Sequence, residues 1–148
     1  MLKVILITFG LSVATSAFAQ SVLRLSEFAT KDDTKTAISK MIKNYDLPAW
    51  VDLGGTGPEV KEVTIGNASW QVFSACKPHD CASESVAILW SEKTKTLAGV
   101  FSVIDEKKSQ EKLTWMNISD ELSIDGKTVL YAALTGSLDN HPDGFNFK

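Results

Sequence analysis

Between residues 59 and 104 the chain falls into four strand-like runs, and nothing else in the sequence limits the fold so much. Glu59 to Ile65 and Ser69 to Ala75 are rich in residues that suit a pleated surface, and Gly66-Asn67 between them is a tight-turn pair. Val86 to Trp90 and Leu97 to Ile104 follow, joined by the charged connector SEKTKT. Lys112 to Asn117 alternates less cleanly and is read as a fifth strand. Helical patterning brackets the strands. Thr34 to Tyr45 gathers Ala37, Ile38, Met41, Ile42 and Tyr45 on one face, and Pro48, Gly54-Gly55 and Gly57-Pro58 mark a loop after it. Beyond a turn at Asp125-Gly126, KTVLYAALTGSL has helical length and an apolar face. Strands in succession with helices at both ends predict an α+β fold. Its centre is an antiparallel sheet of about five strands, with helices packed on both sides.

The first residues stand apart. Lys3, the apolar run VILITFGLSVA and the small-x-small site Ala17-Phe18-Ala19 form the pattern of a secretory signal peptide, with cleavage expected after Ala19. Residues 20–148 then form one domain, long enough to bury a core without metals. Loss of Lys3 takes the formal charge from −3 to −4. A mildly acidic domain has no basic patch for nucleic acid, and no later stretch is apolar and long enough to span a bilayer. Outside the cytoplasm a nearby cysteine pair normally oxidises.

The chain has two cysteines, and both lie in ACKPHDCA at 75–82. On the strand map this segment joins two strands and projects from the end of the sheet. A Cys76–Cys81 bond closes a small ring, worth about 2 kcal/mol by chain entropy and less than across a longer loop. Its better use is local. It stiffens a surface segment, Pro78 fixes another torsion, and less ordering is left for the moment of contact with a partner. His79 follows Pro78, where its two nitrogens can each meet a different group. Lys77 and Asp80 keep the tip polar. The plain alternative is a structural crosslink enclosing incidental polar residues. Metal ligation by Cys76, His79, Asp80 and Cys81 is disfavoured, because so short a segment wraps poorly around one tetrahedral ion and the thiols oxidise.

Other candidates carry less. His141 lies in DNHPDGFNFK, which is turn chemistry. No Gly-x-Ser-x-Gly elbow accompanies either histidine, and GGTG at 54–57 lacks the Lys-Ser/Thr of a phosphate loop. Asp105, Glu106 and Glu111 in IDEKKSQEK read as a solvated connector rather than a glycosidase pair. Asn67-Ala68-Ser69 and Asn117-Ile118-Ser119 fit a glycosylation acceptor pattern that is frequent by chance. Trp50, Trp70, Trp90 and Trp115 fall within or beside strands and suit a core or sheet face better than a sugar strip.

CKPHDC resembles the hallmark loop of the Ivy family, inhibitors of vertebrate lysozyme. LPAWV at 47–51, WSEK at 90–93, SQEKLTW at 109–115, LSIDGKTVL at 122–130 and ALTGSLDNHPDGFNFK at 133–148 are similar to the same family, so the likeness covers the whole mature domain. The resemblance implies a periplasmic, non-enzymatic inhibitor of c-type lysozyme that needs no cofactor. It implies that the loop enters the target's active-site cleft. There His79 meets the catalytic carboxylates, and Cys76, Lys77, Pro78, Asp80 and Cys81 form and support the loop. Homodimers and restraint of endogenous lytic transglycosylases are further implications. The alternative from the residues alone is a periplasmic small-ligand-binding protein or hydrolase using His79 or His141.

Overall fold

The computed structural model describes residues 23–148, so the expected leader and its cleavage after Ala19 lie outside the described residues. Strands β1 (Lys61–Ile65), β2 (Ala68–Cys76), β3 (Glu84–Ser91), β4 (Thr96–Asp105) and β5 (Gln110–Met116) pair antiparallel in chain order. The α+β expectation holds in strand number and direction. Ile65 pairs with Ala68, which leaves Gly66-Asn67 as a two-residue turn. Gly66 has φ 62°, and glycine takes the left-handed first position of such a turn without a Cβ clash.

Alternation along the strands builds two cores. Phe73, Val86, Ile88, Trp90 and Phe101 face one layer, made by α1 (Leu25–Thr30), α2 (Asp32–Tyr45) and a 3-10 turn at Ala49–Leu53. Leu25, Phe28, Ile38, Met41 and Val51 complete that core. Val72, Ala87, Leu89, Ala98 and Val100 face the other way onto α3 (Asp125–Leu134), through Val129, Leu130, Ala132 and Ala133. The middle of β3 is buried on both faces, which is why VAILW reads as a continuous apolar run. In the first core the Phe28 ring lies 4.5 Å from Phe73 and 5.4 Å from Trp90. A phenylalanine so enclosed is worth about 3–5 kcal/mol against alanine. This packing fixes β2, the strand that carries the cysteine loop.

The helices depart from expectation in two places. A short helix, α1, precedes α2 and is absent from the sequence reading; the Glu27 carboxylate accepts the Arg24 backbone N–H at its start. The expected turn at Asp125-Gly126 is instead the first turn of α3. A Cβ on Gly126 would stand 2.7 Å from Leu122 Cβ, so this glycine permits close packing and does not turn the chain. The apolar stretch after it divides at Gly136, whose φ of 77° ends the helical path before α4 (Ser137–Asn140).

Candidate functional site

Cys76 is the last residue of β2, and Glu84 the first of β3. Cys76 is held from two sides. It pairs with Ser85 across the sheet, and it exchanges both backbone hydrogen bonds with Thr56 at 2.8 and 3.0 Å. The segment carrying Thr56 lies hard against the strand. A Cβ on Gly55 would come within 2.5 Å of the Cys76 carbonyl oxygen, and one on Gly57 within 1.9 Å of the Ser74 oxygen. Two glycines here therefore permit an approach no side chain would allow.

Beyond Cys76 the chain turns sharply. The Asp80 N–H donates to the Lys77 carbonyl at 3.0 Å, closing a four-residue turn with Pro78 and His79 at its corners. His79 has φ 65°, while Pro78 has the ordinary negative φ, which makes this a type II turn. Glycine is the favoured residue at that second corner. Histidine stands there instead, at a steric cost, so the loop keeps an imidazole where an unsubstituted backbone would fold more easily. The Cys76–Cys81 disulfide, with Cα atoms 4.7 Å apart, closes the base of the turn. Pro78, His79 and Asp80 are exposed, so the tip stands in solvent and is not tucked into the protein's own interior.

Polar side chains brace the loop. Lys77 Nζ lies 3.3 Å from Glu84 Oε1 and 3.8 Å from Asp80 Oδ2. Glu84 Oε2 accepts the Trp50 indole N–H at 2.6 Å, and Asp80 Oδ2 accepts the Ser83 hydroxyl at 2.6 Å. At the far end the Ser83 carbonyl accepts the Ile104 N–H at 2.8 Å, which docks the returning chain on β4. Trp50, Thr56, Ser83, Glu84 and Ile104 are thus supports that the sequence pattern does not tie to the loop.

All six loop residues, Cys76 to Cys81, come together as one object. His141 does not join them. It is exposed between α4 and a 3-10 turn at Pro142–Phe145, in keeping with its reading as turn chemistry. The disulfide also uses up both sulfurs as potential metal ligands. A groove of about 640 Å³ opens beside the base of the loop, lined by Cys76, Cys81, Ser85, Ile104, Glu111 and Tyr131 among others, and neither histidine lines it. Glu111 is no mere connector residue. It pairs with Ile104 in the β4–β5 ladder, and its carboxylate accepts the Ser102 hydroxyl at 2.7 Å and the Tyr131 hydroxyl at 3.2 Å. The Glu111 charge beside Tyr131, helped by that hydrogen bond, raises the phenol pKa above its ordinary value. Of the tryptophans, Trp70 and Trp90 are buried, as a core reading requires. Asn117 is engaged internally, with its side chain bonded to the Leu97 carbonyl and the Tyr45 hydroxyl.

The arrangement is therefore a disulfide-closed, internally braced turn presenting one imidazole at an exposed tip. Such an object suits insertion into a concave partner, with hydrogen bonds from both ring nitrogens. Residues 33–134 match the family model described as Inhibitor of vertebrate lysozyme (Ivy). Proteins named "Inhibitor of vertebrate lysozyme" from Escherichia coli K12 and O157:H7 are each 57% identical over 148 residues, covering 100% of this chain and 94% of theirs. An uncharacterized protein of Yersinia pestis is 31% identical over 85 residues, 56% of this chain and 55% of its own length. With the loop, the sheet and full-length relatives in agreement, the chain belongs to the Ivy family.

Proposed function

We propose that this protein inhibits c-type lysozymes by inserting the Cys76–Cys81 loop into the active-site cleft, where His79 engages the two catalytic carboxyl groups. The observation that carries the reading is His79 itself, exposed at φ 65° where glycine would be easier. A side chain maintained against that cost on a closed loop is one the surface uses.

The target chemistry fits an imidazole. A lysozyme holds one carboxyl protonated in an apolar pocket and the other ionised, about 5–5.5 Å apart. A neutral imidazole accepts a hydrogen bond from the acid through one nitrogen and donates to the carboxylate through the other. An imidazolium donates to both once both are ionised. Either form fills the space and the hydrogen-bonding capacity that substrate needs, with no covalent step. A mature charge of −4 speeds approach to a basic enzyme, more so at low salt. The proposal extends to export into the periplasm after cleavage behind Ala19, to lytic transglycosylases as a second target class, and to a homodimer.

The test is a cell-wall clearing assay with a c-type lysozyme and increasing amounts of residues 20–148. Loss of clearing with increasing protein is the expected result. Undiminished clearing at a large molar excess would dispose of the proposal.

A further inference from the structure

Deepening that reading, we propose that Glu84 is the positioning residue of the inhibitory loop. It stands at the first position of β3, with its side chain 21% exposed, and each carboxylate oxygen has a separate partner. Oε2 accepts the Trp50 indole N–H at 2.6 Å, and Oε1 lies 3.3 Å from Lys77 Nζ. The backbone repeats the connection, since the Lys77 N–H donates to the Glu84 carbonyl at 3.0 Å.

Trp50 is the fixed end of this chain of contacts. Its ring packs 6.2 Å from Phe101 between centroids and lies against Gly55, whose notional Cβ would meet it at 2.6 Å. Lys77 is the moving end. It is the first residue of the turn, and its carbonyl accepts the hydrogen bond that closes the turn around His79. Glu84 therefore ties the first residue of the turn to the helix-side core. The disulfide closes the loop on itself, and backbone bonds seat its two ends on the sheet, where Lys77 N–H reaches the Glu84 carbonyl and Ile104 N–H the Ser83 carbonyl. The Glu84 carboxylate, fixed by the indole N–H, adds the side-chain tie that holds Lys77 against this frame. A charged acceptor suits both partners, because bonds to an ionised group are about twice as strong as neutral ones.

The test uses Glu84→Gln in residues 20–148, with two readouts. In the free protein, amide exchange at Lys77 and Asp80 speeds up by about twofold to fivefold if Glu84 orders the turn, the size expected of a partly exposed charged pair. Unchanged protection at both amides overturns the assignment without reference to any target. In binding to a c-type lysozyme, the variant weakens affinity by a similar factor. Combined with His79→Ala, the Glu84→Gln change then has no further effect, because a positioning residue acts only through the group it positions. Losses that simply multiply would show a merely structural or independent role for Glu84 and overturn the inference. Trp50→Phe keeps an aromatic ring, smaller than the indole, and removes the N–H, so it moves both readouts the same way and serves if Glu84→Gln folds poorly. A wild-type protein that does not bind lysozyme defeats the functional proposal, while the exchange result still decides the role of Glu84.

Discussion

The strained corner at residue 79 lends itself to a paired substitution, His79→Gly beside His79→Ala. An L-residue in the left-handed region costs about 1–2 kcal/mol, and glycine relieves it. Glycine also loosens the unfolded chain, at a cost of about 0.4–1 kcal/mol. The balance makes His79→Gly between neutral and about 1.5 kcal/mol more stable than wild type. For a chain of this size that is a rise of up to about 6 °C in Tm. His79→Ala keeps the left-handed Cβ and gains nothing. On the proposed mechanism both variants lose the imidazole's two hydrogen bonds, one to a charged group at about 1.5–3 kcal/mol and one neutral at about 0.5–1.5 kcal/mol, so inhibition weakens by about 30-fold to 10³-fold. Thermal unfolding and inhibition of wall clearing, measured on both proteins, give the two axes. A glycine variant that inhibits within about threefold of wild type would remove the imidazole from the mechanism. One that melts below the alanine variant would remove the strain argument.

Replacing both cysteines by serine leaves the loop to be ordered on contact. Affinity for lysozyme should fall by up to about 30-fold, the equivalent of the roughly 2 kcal/mol of ring-closure entropy, and equal affinity would show that the remaining braces already fix the turn. A pH titration tests the Tyr131–Glu111 contact. The folded phenol pKa is raised, so its contribution to stability is complete below the unfolded value of about 10 and is lost as pH climbs through the folded one. Unfolding midpoints of wild type should therefore fall more steeply above about pH 9.5 than those of Tyr131→Phe, and parallel curves would refute the coupling.

Strands and the long helix were legible because their patterns are local. The strand-like runs place β1 to β4 within a few residues of their true ends, and the face carrying Ile38 and Met41 marks α2. Helix α1 was not legible. LSEFAT spans too few residues to show a period, and its cap rests on an arginine backbone N–H that no sequence pattern singles out. Gly126 misled for a related reason, since a turn glycine and a close-packing glycine look alike until Leu122 is placed against it. At the site, the cysteines and His79 declare themselves by composition. The brace does not, because Trp50 and Glu84 are 34 residues apart and only the folded sheet brings them together. Glu111 was misread on the same ground, as its partners Ser102 and Tyr131 come from another strand and from α3.

The sheet's order, with each strand beside its chain neighbour, has a consequence for how the molecule reaches maturity. Each ladder among the five strands is a hairpin, so the sheet grows by zipping adjacent segments, and distant joins such as the Ile65–Phe147 bridge are left to its margin. Cys76 and Cys81 meet at one of those hairpin ends, and there is no third thiol to capture either of them. Oxidation within one chain thus has a single possible product, with no mispaired intramolecular isomer to unpick: an electron acceptor suffices to close it.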